Sequence, residues 1–230
     1  LRLLNKAIEL DPGFALAYAR AAQCFSFRKS NGWITDREQE VAEAARMARR
    51  AVEVGKDDAI ALSYGGFVLA YVVGDLDDGA AFVDRALALN SNLAAGWGAS
   101  GWMKLCFGEP DTAIEHAARA MRLSPLDPRI YAWQAYTAHA HFFAGRYDEA
   151  ASWAARSLRS EPNFLSTMRT FAASHALAGR LDEAQKALTR LRQLDPALRI
   201  SNLEDVMLPL RRAEDRLRYV EGLRKAGLPE

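Results

Sequence analysis

Four blocks of seventeen residues repeat along the chain. Each follows a glycine, namely Gly74, Gly108, Gly145 or Gly179. They read DLDDGAAFVDRALALNS, EPDTAIEHAARAMRLSP, RYDEAASWAARSLRSEP and RLDEAQKALTRLRQLDP. An aspartate holds the third place (Asp77, Asp111, Asp148, Asp182) and a small residue the fifth (Gly79, Ala113, Ala150, Ala184). The glycines lie 34, 37 and 34 residues apart. Such a period accommodates two helices of about 14 residues and a tight turn. Glycine ends the first helix because it tolerates positive φ. Proline, which closes three of the blocks, cannot continue the second,. Small residues at the fifth and twelfth places let helices approach closely. One such pair cannot bury its apolar faces alone, so neighbouring pairs must stack.

The spacing matches the tetratricopeptide pattern, in which a large aromatic is followed by small residues and then by Ala and Pro. Trp97, Gly101, Gly108, Ala113, Ala120 and Pro125 all fall on pattern positions. The expected fold is all-α, a tetratricopeptide-repeat superhelical solenoid of antiparallel helix pairs with a C-terminal capping helix. A truncated repeat helix is expected over 1–12, helix pairs over 14–56, 58–91, 93–125, 129–162 and 164–196, and a cap over 197–230, all in one solenoid. Some residues depart from the pattern. Phe67 stands where a small residue is usual, Gln134 and Met168 replace the aromatic, and Lys56 replaces proline. The first full pair carries an insert of about ten residues, from Arg28 to Glu40, in a unit that otherwise keeps the repeat length. Within it, Thr35 to Glu38 has the spacing of a capping box, so a helix is expected to start there. Trp33 is expected to fold onto a neighbouring helix. Asp215 to Ala226 reads as the capping helix, with Leu217, Val220 and Leu223 on one face.

Composition narrows the function. Thirty Lys and Arg against 29 Asp and Glu leave a net charge of +1. Without a basic block there is no electrostatic footprint of a nucleic-acid or membrane binder. Apolar runs fall short of the roughly 18 residues that a membrane span requires. Cys24 and Cys106 stand far apart, which suits neither a disulfide framework nor a zinc site. Free thiols fit a reducing cytoplasm, the expected location. The chain opens on Leu1 inside a helical pattern and so reads as part of a longer protein.

Several stretches carry a closer resemblance. They are Leu89-Asn90-Ser91-Asn92, Arg122 to Pro128, Phe142 to Tyr147, and above all the run from Tyr219 to Glu230. They resemble the C-terminal repeat region of bacterial class III adenylate/guanylate cyclases of rhizobial type. Related repeats also follow winged-helix DNA-binding domains in some regulators. The resemblance spans nearly the whole chain and implies a parent with a cyclase or DNA-binding domain ahead of the repeats. It carries over no catalytic residue, because no part of a catalytic domain is present.

Motifs of chemistry are few. His139 and His141 lie two apart on a helix and diverge by about 200°, so they cannot share an ion. His141 and His175 hold equivalent places in successive repeats and read as packing residues. No HExxH, Gly-rich phosphate loop or Gly-x-Ser-x-Gly elbow occurs,. Asp148-Glu149 and Asp182-Glu183 recur at helix starts, where negative charge complements the helix dipole. No catalytic residue, cofactor or metal is therefore expected.

By the family's arrangement, the first helix of each pair lines a concave groove. Its groove positions fall on Gln23, Phe27, Tyr64, Val68, Tyr71, Trp102, Cys106, His139, Phe142, Phe143, Arg169 and Ala173. Of these, Tyr64, Val68, Tyr71, Trp102, His139, Phe142 and Arg169 form the expected partner-binding stripe. Chaperone-binding relatives hold a terminal carboxylate with Lys, Asn and Arg at such positions, and that set is missing. An aromatic groove suits an amphipathic helix or an extended apolar segment. The expected function is a non-catalytic protein–protein interaction module that regulates or assembles an attached signalling domain. Its partner would be a protein or peptide, an attached domain of the parent, or a second copy in a homodimer. The competing expectation is a free-standing adaptor or cochaperone-like peptide binder.

Overall fold

A computed structural model describes residues 1–230. It contains twelve α-helices and no strand. They are α1 (Arg2–Leu10), α2 (Ala15–Ser30), α3 (Arg37–Val54), α4 (Ala59–Val68), α5 (Leu76–Leu89), α6 (Ala94–Phe107), α7 (Pro110–Leu123), α8 (Ile130–Phe143), α9 (Tyr147–Ser160), α10 (Leu165–Leu177), α11 (Leu181–Leu194) and α12 (Ala213–Ala226). A π-helical turn, Leu69–Val73, extends α4, and a 3₁₀ helix, Ile200–Asp205, follows α11. The expected all-helical repeat with its C-terminal helix is what the chain adopts.

Local chemistry sets the helix ends. Gly74, Gly108, Gly145 and Gly179 all have positive φ, between 77° and 97°. In three of these turns the amide after the glycine reaches five residues back into the preceding helix. Glu109 N donates to Lys104 O, Arg146 N to His141 O and Arg180 N to His175 O, each at 2.9 Å. These bonds take up carbonyls that the helix itself leaves open. Asp58 caps α4 by accepting from Ile60 N and Ala61 N. At α3 the cap is Asp36, which accepts from Gln39 N, one residue later than the Thr35 spacing implies. Thr35 is drawn away instead: its amide donates to Glu40 Oε1 at 3.1 Å. Glu40 is in turn gripped by Arg28 at 2.6 and 2.7 Å. That guanidinium holds the Glu40 carboxyl pKa down at about 2.

Two compact units partition the chain, Leu1–Met103 and Lys104–Glu230. The first unit is packed with alanines. Ala19 and Ala22 of α2, and Ala44, Ala48 and Ala51 of α3, are wholly enclosed with Met47, Val68 and Leu69. Gly66 and Gly79 make the closest approach, between α4 and α5. A Cβ on Gly79 would sit 2.5 Å from Gly66 O, and one on Gly66 2.7 Å from Gly79 O. Gly66 thus fills the small-residue role and leaves Phe67 free to turn elsewhere. The π turn, with Gly74 N bonded to Leu69 O at 3.0 Å, takes up the one-residue offset before the glycine turn,. Trp33 does not fold onto a helix. It is 62% exposed, and Arg28 holds only its backbone: the guanidinium donates to Trp33 O at 3.0 Å and Trp33 N donates to Arg28 O at 2.8 Å.

In the second unit the fifth-place alanines Ala113, Ala150 and Ala184 are completely buried, and so are Ala120, Ser157 and Leu191 at the twelfth place. A clasp recurs between pairs. Arg146 donates to His141 Nδ1 at 3.0 Å and to Asp111 at 2.7 Å. One repeat later Arg180 donates to His175 Nδ1 at 2.8 Å and to Asp148. Helix α12 packs chiefly on α10, with smaller contacts to α11, the 3₁₀ helix and α8. Its buried face is the expected one only in part: Leu223 is enclosed and Val220 packs against the core. Leu217 points out, 70% exposed, while Asp215, Tyr219, Gly222, Leu223 and Ala226 face inward. The contacts place Gly222 against Ala173 of α10 and Tyr219 among Phe142 and Phe143 of α8.

Candidate interaction surface

The expected stripe divides between the two units. In the first unit Tyr64 and Tyr71 are half-buried and each carries a cation on its ring. The Arg20 guanidinium lies 4.5 Å from the Tyr64 centroid, and Lys29 Nζ 4.8 Å from that of Tyr71. Lys29 also donates to the Tyr71 carbonyl at 2.6 Å. Burial, and then the neighbouring Arg37 charge, push its ammonium pKa down. Phe67 stacks on Tyr71 at 5.5 Å, and both rings meet Trp102 edge-on at 5.4 and 5.5 Å. Edge-on and offset rings of this kind are favourable beyond the area they bury. Val68 and Trp102 are fully enclosed, and Trp102 backs Phe67 and Tyr71.

In the second unit His139, Phe142 and Arg169 converge on residues that sequence reasoning did not single out. His139 Nδ1 lies 2.6 Å from Ala135 O, and its Nε2 3.3 Å from Ser166 Oγ. A carbonyl only accepts, so the proton sits on Nδ1 and Nε2 accepts from the serine. Burial lowers the imidazole pKa to about 4. The Ala135 carbonyl opposes that shift, and the Arg169 charge adds to it. Phe142 is enclosed by Phe143, Tyr147 and Tyr219, with centroids 5.3 to 5.6 Å away. Arg169 donates to Val206 O at 3.0 Å. None of Val68, Trp102, His139, Phe142 and Arg169 is more than 4% exposed, so an open stripe through all seven residues is not what the structure presents. In the second unit the physical reason is the segment after α11, whose Val206 and Tyr219 lie on those positions.

Other groove positions also vary. Phe27 is exposed, Gln23 is buried and accepts from Arg20 at 2.9 Å, and Ala173 lies under Gly222. Cys106 is buried, and burial raises its thiol pKa far above the ordinary value, so it stays protonated. Phe67 falls off the regular groove register because the π turn shifts the repeat there, and Arg20 and Lys29 lie outside the groove positions Gln23 and Phe27 of α2. Tyr219 and Arg211 lie beyond the last repeat, where no period remains. No helix is long and apolar enough to cross a membrane.

No protein-family profile matches the sequence, and no curated protein sequence does. Solved structures are similar in fold. PilW, a widely conserved type IV pilus biogenesis factor, superposes with a TM-score of 0.65 at 17% identity, covering 92% of this chain and 88% of its own. TTC0263, a thermophilic TPR protein of Thermus thermophilus, gives 0.61 at 16%, over 91% and 99%. YrrB, a TPR protein with an unusual peptide-binding site, gives 0.51 at 19%, over 84% and 93%. The fold is therefore the tetratricopeptide-type helical repeat.

Proposed function

We propose that this chain is a non-catalytic interaction module that holds a peptide or protein segment on the first-helix face of its first unit, centred on Tyr64, Phe67 and Tyr71. The observation that carries this reading is the pair of half-buried tyrosines, each with a cation seated on its ring, and the enclosed Trp102 that backs Tyr71 and Phe67. A partner ring or aliphatic side chain laid against that surface would bury rigid aromatic area, and the adjacent Arg20 and Lys29 favour a segment that also carries acidic or carbonyl groups. The peptide-binding site of YrrB, on a similar fold, is in keeping with this reading. The resemblance to cyclase C-terminal repeats favours a role in regulating or assembling an attached signalling domain, in the cytoplasm and with a second copy as one partner. A free-standing adaptor is the alternative, and the presence or absence of a cyclase domain in the full-length gene distinguishes the two.

The test is selection of binding peptides from a random library on the intact chain, followed by titration of variants. Tyr71→Ala and Tyr64→Ala should each weaken the selected peptides by tenfold or more, about 1.4 kcal/mol, which aromatic anchors commonly exceed. Arg156→Ala, on α9, should leave affinity within twofold. Trp102 is unsuited to this comparison. Its enclosed indole makes Trp102→Ala a stability lesion of about 3–5 kcal/mol. Equal affinity in the Tyr71 and Arg156 variants would remove the assignment.

A further inference from the structure

In the second unit the first-helix face is already occupied. The segment after the 3₁₀ helix runs back along it in two parts. The leading part, residues 206–212, is an arm whose bonds to the helices each have a backbone atom on at least one side. Val206 O accepts from Arg169, Arg211 N donates to Cys106 O at 2.9 Å, and Arg212 Nη1 donates to Gly108 O at 3.3 Å. The Arg211 guanidinium lies 4.5 Å from the Phe107 ring centroid. The second part is α12. Tyr219 enters among Phe142, Phe143 and His139, Arg218 donates to Phe143 O, and Gly222 rides so close to Ala173 that a Cβ would fall 2.9 Å from Ala173 Cβ. The carbonyl-rich ends of α6 and α8, negative by the helix dipole, thus receive arginines, and an aromatic anchor enters the hollow between α8 and α10.

The contact buries Tyr219, Leu223 and Ala226 with the core of the unit, yet it leaves polar atoms at its edge unsatisfied. Asp215 is 2% exposed, yet its Oδ1 has no hydrogen-bond partner, and the nearest cations, Arg212 and Arg218, stand off at 3.7 and 3.8 Å. Arg169 Nε is likewise buried without a partner. Unpaired buried polar atoms weaken an interface that an apolar side chain would have strengthened. Outward-facing Leu217 leaves α12 without a second partner element on that side.

We propose that the first-helix face of the second unit is a receptor for one kind of segment, an arm bearing paired arginines that leads into a helix with an inward aromatic. Residues 206–226 are its intramolecular occupant, and a partner of the same chemistry displaces them. Tethering sets the occupant's effective concentration in the millimolar range, so a free partner binds only as far as the tail yields. This inference rests on the second unit alone and holds whether or not the first-unit face binds peptides.

The intact chain supplies the first test. In native-state hydrogen exchange, amides of α12 should exchange at least tenfold faster than those of α10. Exchange of α12 in step with α10 would show it to be part of the core and overturn the proposal. The second test uses a fluorescent peptide of residues 206–226 and the full chain as wild type, Gly222→Val and Tyr219→Ala. Gly222→Val drives extra methyl groups into Ala173 and evicts the chain's own helix while leaving the receiving face untouched. Both variants should bind the peptide at least tenfold tighter than the wild type, and a peptide carrying the same Gly222→Val change should bind none of them. Folded variants with fast-exchanging α12 that still ignore the peptide would overturn the proposal, and so would loss of cooperative unfolding in both variants.

Discussion

His139 is neutral because it is enclosed, and that enclosure links folding to pH. Its folded pKa of about 4 lies below the ordinary value of 6.5. Between those values the unfolded chain binds the proton more readily, so stability rises with pH through this window. The contribution is complete above 6.5 and is lost progressively as pH falls toward 4. From about pH 7.5 to about pH 5 the expected loss is about 2 kcal/mol, at about 1.36 kcal/mol per unit of separation. His141 and His175, also lowered by burial and by their clasping arginines, act in the same direction. Urea midpoints across this range check it, and His139→Gln should flatten the slope. Glu40, held at about 2 by Arg28, acts only below the ordinary carboxylate range and leaves this window undisturbed. The turn glycines separate backbone strain from crowding. Gly145, at φ 77°, has nothing within 4 Å of a built Cβ, so Gly145→Ala should cost only the left-handed penalty of about 1–2 kcal/mol,. Gly108, at φ 83°, faces Arg212 Cδ at 2.1 Å from such a Cβ. Gly108→Ala should therefore cost more and also speed exchange at Arg211 and Arg212, which Gly145→Ala should not do.

Between helices, the glycine turns and fifth-place small residues were legible because each obeys a local rule that holds in every repeat. The turn needs positive φ, and the close approach needs a missing side chain. What could not be read was set by contacts across elements. Phe67 reads as a fault in the pattern until the π turn gives its place to Gly66. Trp33 itself is apolar enough to dock, but the Arg28–Glu40 pair organises that polar loop through charges and the Trp33 carbonyl. Helix α12 was legible as a helix, yet its buried face depends on Ala173 and Phe142, which no local period encodes. The clasps were legible only as recurring aspartates at helix starts and as the equivalent places of His141 and His175, since the arginines that join them lie in neighbouring turns. Their strength should be modest. The Arg180 and Asp148 side chains are 35% and 78% exposed, and such pairs contribute about 0–1 kcal/mol,. Arg180→Ala should thus lower the urea-derived stability by no more than about 1 kcal/mol, against about 3–5 kcal/mol for truncating enclosed Phe142.

At the scale of the whole chain, repeated helix pairs pass stability between neighbours, so a lesion should remain near its origin. The expected seven-residue stripe assumes that every first helix presents the same face to solvent. That symmetry belongs to the repeat sequence, and the unrepeated segment after α11 breaks it by lying on α8 and α10. The candidate site was therefore legible in the first unit, where Tyr64 and Tyr71 stay partly open, and hidden in the second, where the covering residues have no period. Gly79→Val tests how far such asymmetry reaches. Its added methyl groups would meet the Gly66 carbonyl and Ala70, an overpacking that costs about 1–3 kcal/mol or more because backbone must move,. If the repeats are coupled mainly to their neighbours, amides of α4 and α5 should exchange about tenfold faster or more, which is about 1.4 kcal/mol of lost local stability. Amides of α9, α10 and α11 should change by less than about threefold. Uniform acceleration from α2 to α11 would mean that the chain unfolds as one cooperative body, in which the two units have no separate stability.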